Sequence, residues 1–131
     1  MLKQLSLLAL PLLLAGCAST FTNLTPTRQP RNAENLYPVE VQFNSNQQTL
    51  RWHTIKPYVV VGGQLLPMRP TPLMNNRWEG LVPAPSGTDH VEYRYKFEYE
   101  YNAFGPPKAD SSLSPKYDLR ILDADSSTPA Q

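Results

Sequence analysis

The 131-residue chain has one cysteine, two histidines and six glycines, and its charges nearly cancel, with 12 Lys and Arg against 11 Asp and Glu. A single cysteine excludes an internal disulfide and any multi-cysteine metal cluster. A net charge of +1 excludes the basic excess with which nucleic-acid-binding proteins neutralise phosphates. No phosphate-cradling glycine loop and no HExxH, GxSxG or SxxK pattern occurs. No apolar run approaches the roughly 20 residues needed to span a bilayer as a helix. What the chain does have is proline, 14 of them, with 40% hydrophobic and 10% aromatic residues, a globular composition low in charge.

The longest apolar stretch, Leu5–Leu14, holds seven leucines, follows Lys3 and is interrupted by Pro11. A short positive region and a run of this length read as an export signal. The run ends in Leu14-Ala15-Gly16-Cys17. These four residues resemble the lipobox of bacterial lipoprotein signal peptides, at every position. The resemblance implies cleavage between Gly16 and Cys17, a diacylglycerol thioether on the Cys17 sulfur and an acyl group on the new amino terminus. It calls for no other cofactor. Ala18, rather than Asp, implies delivery to the outer membrane in a diderm host. The expected partition is a signal peptide at 1–16, a lipidated tether at 17–36, a folded domain at 37–125 and a disordered tail at 126–131. The tether is polar, carries Pro26 and Pro30 and lacks apolar periodicity. Such a linker has a root-mean-square span of about 25 Å. Asn23-Leu24-Thr25 matches a glycosylation sequon that is incidental in a bacterial lipoprotein.

Within 37–125 the prolines leave no room for a long helix. The best helical window, Asn46–Thr54, predicts one or two turns at most. Strand signals dominate. Val39, Val41 and Phe43 alternate with polar residues. Tyr58–Val61 runs into Gly62-Gly63, a pair suited to a tight hairpin, with Gln64–Met68 as the return. Trp78–Val82 and Tyr117–Ile121 are shorter strands. The clearest is His90–Tyr101, whose odd-numbered residues are all apolar or aromatic while the even ones are His90 and five charged residues. The pattern predicts an all-β, antiparallel sandwich of immunoglobulin-like type. Leu81, Pro85, Gly87-Thr88 and Tyr93 resemble fibronectin type III and related early-set domains, with a longer spacing from Thr88 to Tyr93.

No constellation for catalysis emerges. His53 and His90 have no partner at ligand spacing, and Asp118, Asp123 and Asp125 lack the glycine of a calcium loop. The chain therefore reads as a non-catalytic envelope module, held to the membrane by lipid and binding another envelope protein through an edge strand or the long connection 102–116. The alternative partner is a glycan. The aromatic row of 90–101 reads first as the core face of a central strand packed on the opposite sheet. Because twelve extended residues exceed what a sandwich core covers, the glycan alternative has its end overhang at Tyr99, Tyr101 and Phe104. Sugar would stack on Trp52, on Trp78 or on this end of the row.

Overall fold

A computed structural model describes residues 20–123. The expected signal peptide, Cys17 and the tail at 126–131 lie outside the described residues. Ten strands follow in order: β1 (Thr20–Asn23), β2 (Arg28–Pro30), β3 (Leu36–Asn44), β4 (Leu50–Val61), β5 (Gln64–Pro67), β6 (Arg69–Pro70), β7 (Arg77–Pro83), β8 (His90–Tyr101), β9 (Lys108–Leu113) and β10 (Tyr117–Leu122). Among the described residues there is no helix, and the window 46–54 runs into β4 instead.

One sheet has the order β1-β3-β7-β6 and the other β2-β10-β8-β4-β5, with β9 beside β8. This is an all-β sandwich with immunoglobulin-type strand order. All pairings are antiparallel except β2 with β10, which is parallel. The inner face follows from period-two alternation. Tyr37, Val39, Val41 and Phe43 of β3 face Tyr93, Tyr95, Phe97 and Tyr99 of β8, all buried. Phe97 sits at the centre, with ring centroids 4.9 Å from Phe43, 5.1 Å from Trp78 and 5.2 Å from Phe21. With no cysteine in the described residues, aromatic packing joins the two sheets. Gly80 lets the chain cross between them. A Cβ there would meet Met68 Cγ at 3.1 Å, and Met68 lies on the link that carries the chain from β5 to β6.

The connection expected at 102–116 contains a further strand, β9, at its centre. β9 pairs with Lys96–Tyr101, and β10 takes over the same edge of β8 at His90–Tyr93. Between the two pairings β8 advances three residues, Tyr93 to Lys96, while its partner advances four, Leu113 to Tyr117. This is a bulge. Ser114 is buried in it; its hydroxyl accepts from the Tyr95 N–H at 2.8 Å and donates to the Pro115 carbonyl at 2.8 Å. Residues 102–107 remain as a turn, and 114–116 link β9 to β10.

The domain also begins earlier than expected. Residues 20–36 are not a free tether: β1 pairs with β3, and β2 with β10. Asn23 and Thr25 fasten this segment to the core. The Tyr95 hydroxyl donates to Asn23 Oδ1 at 2.7 Å and lies 3.1 Å from Thr25 Oγ1. Asn23 Nδ2 donates to the Tyr93 hydroxyl at 2.9 Å, and the Glu40 N–H donates to Thr25 Oγ1 at 2.9 Å. Burial raises the Tyr95 pKa, so the phenol stays protonated and remains a donor. The sequon asparagine is thus occupied by two tyrosines. Thr25→Val keeps the side-chain shape but orphans the Glu40 N–H. It is expected to cost about 1–3 kcal/mol in urea unfolding; an unchanged midpoint would exclude this segment from the folded unit.

Candidate functional site

The aromatic residues proposed for sugar stacking do not form one surface. Trp78 and Tyr99 are buried, and the Tyr99 hydroxyl lies 2.8 Å from Ser112 Oγ. Tyr101 is half-buried at the end of β8. Phe104 stands fully in solvent. Trp52 is 44% exposed, but its ring stacks on Trp78 at 6.5 Å and 7°. The cause is a large bulge in β4. Arg51 pairs with Glu100 and Lys56 with Glu98, so Trp52–Ile55 oppose Tyr99 alone. Thr54 closes this bulge, donating from its hydroxyl to the Arg51 carbonyl at 2.6 Å and accepting from the Glu100 N–H at 2.9 Å. The excursion folds Trp52 over the core.

The histidines are separated. His90 Nε2 lies 2.9 Å from Asp118 Oδ1 on the exposed β8–β10 face. His53 lines a shallow depression of about 600 Å³ with Lys56, Glu98, Glu100 and Asp110. No group of three His, Cys, Asp or Glu able to hold a metal ion occurs among the described residues.

The larger concavity, about 940 Å³, was not foreseen from the sequence. It is lined by β3 and β7, by the β1–β2 connection, by β2 and by the link from β5 to β6. Its floor is the outer phase of β3 and β7, where two cross-strand pairs are apolar: Leu36 opposite Pro83, and Pro38 opposite Leu81. Leu24 and Pro26 stand on one side, Leu66 and Pro67 on the other. In this phase polar residues are expected on a solvent face, yet Leu81 is 50% exposed and Leu36 and Pro38 are exposed too. The same outer phase turns polar further along, with Glu40 opposite Glu79. Directly opposed carboxylates repel, and two arginines offset them: Arg69 Nε lies 2.9 Å from Glu79 Oε2 and Arg77 Nη1 lies 4.0 Å from Glu40 Oε2. The groove therefore has an apolar floor and a charged rim at one end.

The signal for this face was in the sequence. Leu36, Pro38 and Leu81 sit in the phase opposite Val39 and Val82, so they cannot belong to the same core. No protein-family model, curated protein or solved structure matches the chain, and its own residues carry the functional reading.

Proposed function

We propose that the chain is a lipid-anchored envelope lipoprotein whose sandwich acts as a non-catalytic binding module, with the Leu36–Pro38–Leu81–Pro83 groove as the seat for an extended, apolar segment of a partner protein. The observation that carries this reading is the pair of leucine–proline contacts on a solvent-facing sheet surface. Exposed apolar surface that is contiguous and rimmed by polar groups is characteristic of binding sites. Five prolines, at 26, 30, 38, 67 and 83, line it, so the walls lose little freedom when a ligand docks. The Cys17 lipid would hold the module at the outer membrane. A protein segment fits the groove better than a glycan, because two of the five aromatic residues expected to stack on sugar are buried in the core.

The test uses a photoreactive phenylalanine analogue at Leu81 and, as a control on the other sheet, at Arg120, in cells. A partner is expected to cross-link at Leu81 and not at Arg120. Leu81→Glu should reduce its capture by about tenfold or more, the equivalent of one buried leucine in binding free energy. Capture that is insensitive to Leu81→Glu would sink the groove as the site, and glycan-array binding that depends on Trp52 would replace the partner with a sugar.

A further inference from the structure

We infer that the domain stands end-on upon the bilayer, with Leu73, Met74 and Phe104 entering the lipid interface. The inference rests on the Cys17 anchoring reading and adds to it which surface meets the membrane. Three observations converge on one end of the sandwich.

The first is where the chain emerges. Cys17 is three residues before Thr20, the first residue of β1, so their Cα atoms are at most about 11 Å apart. A lipid on Cys17 therefore holds the start of β1 close to the headgroups.

The second is what else lies there. Thr20 pairs with Asn44 at the end of β3. Asn44 Oδ1 accepts from Asn76 Nδ2 at 3.0 Å, and the Phe43 N–H donates to the Asn76 carbonyl at 3.0 Å, placing the 71–76 turn beside them. Leu50 pairs with Tyr101, and the Asn102 N–H donates to the Thr49 carbonyl at 2.9 Å, joining the 45–49 turn to the 102–107 turn. Leu73 and Phe104, at the tips of two of these turns, are the most exposed large apolar residues described, at 102% and 103% of reference exposure. Met74 is exposed beside Leu73. Leu73 also has φ of 65°. That left-handed conformation is costly for a bulky residue, and strain of this kind gathers at functional sites.

The third is charge. In a chain with 18% charged residues, the segments 44–49, 71–76 and 102–107 carry no Lys, Arg, Asp or Glu. They are built instead from amides, hydroxyls and prolines around Leu73, Met74 and Phe104. Amide-rich loops can enter the headgroup layer without desolvating an ion, and apolar tips reach the roughly 5–10 Å depth of an interfacial insertion. A protein interface would call for one continuous apolar patch, whereas here the apolar groups are separate projecting tips. The groove lies toward the opposite end of β3, whose nine residues span about 30 Å, and so faces away from the membrane.

The experiment labels the protein with a phospholipid carrying a diazirine in its acyl chain, in vesicles of phosphatidylethanolamine and phosphatidylglycerol. One sample is the protein purified from membranes. The other is the unlipidated chain from Cys17 onward, which contains every strand, coupled through the Cys17 thiol to a maleimide phospholipid. Adducts at 72–75 and 103–105 are expected to exceed those at the opposite turn, Pro85–Thr88, by about tenfold, and to fall by about tenfold in the Leu73→Ser/Phe104→Ser variant. Labelling in the coupled sample that is uniform, or that centres on the groove, would overturn the proposal. If the purified protein bears no lipid at Cys17, the anchoring reading fails by itself, while loop labelling in the coupled sample still supports this surface as the one that meets lipid.

Discussion

Replacing Phe97 by alanine is expected to lower the unfolding free energy by about 3–5 kcal/mol, the range for deleting a buried aromatic side chain. A domain of this size has a total stability of only about 5–15 kcal/mol. The loss is therefore of the same order as the whole, and the melting temperature should fall by roughly 15–30 °C. The size of the effect follows from position. Phe97 is fully buried and touches rings from three strands, Phe21 of β1, Phe43 of β3 and Trp78 of β7, all in the opposing sheet. No disulfide joins the sheets, so little else compensates when that ring is removed. Phe104, seven residues on, is the internal control. It is fully exposed and contributes no packing, so Phe104→Ala should leave the melting temperature unchanged. Tyr99→Ala belongs with Phe97→Ala rather than with Phe104→Ala, because the ring is buried against Phe43 at 6.0 Å. Thermal unfolding followed by circular dichroism distinguishes them; equal melting temperatures for Phe97→Ala and the parent would contradict the central packing.

The contrast between these residues also shows what could be read in advance. The row from Val91 to Tyr101 announced β8 because every second residue is large and apolar, and the prolines excluded helices, so the all-β class followed from local pattern. Elements whose stability is non-local were hidden. β9, with the sequence KADSSL, lacks an alternating apolar face and is mostly exposed at a sheet edge, and only its pairing with β8 makes it a strand. β1 and β2 are four and three residues long and are held by Asn23, Thr25 and Gln29, polar side chains that resemble a linker in composition. The side chain of Gln29 donates to the Pro38 carbonyl at 2.8 Å, a contact that no periodicity encodes. The burial of Trp78 and Tyr99 was obscured for a related reason. A strand of 12 residues looks too long for a sandwich core, but Trp52, in the β4 bulge, and Phe21, from the supposed tether, extend the core toward the end of β8. The groove escaped notice because its leucines and prolines occupy the phase assigned to solvent.

Replacing Cys17 by serine tests the other end of the proposal, and its expected effect is the largest of all. A serine offers no thiol for the diacylglycerol, so the precursor should either remain uncleaved or leave the membrane fraction. Each buried methylene contributes about 0.8 kcal/mol, so two or three acyl chains make retention effectively permanent, whereas a single chain gives only marginal binding. The loop tips do not substitute for this. Leu73 and Phe104 together can contribute about 3–6 kcal/mol on transfer from water, comparable to one weak acyl anchor and short of stable retention. The fold sharpens the consequence. Because β1 runs from Thr20, only Ala18 and Ser19 would separate a lipid on Cys17 from the sandwich, in place of a tether spanning about 25 Å. An anchor at Cys17 would therefore set the position of a folded domain, and its loss would remove both attachment and orientation. Fractionation with mass spectrometry of the N-terminal peptide decides the matter. Membrane retention and maturation indistinguishable from the parent would defeat lipidation at Cys17, whereas release of a folded chain would leave the sandwich intact and confirm that Cys17 alone secures it.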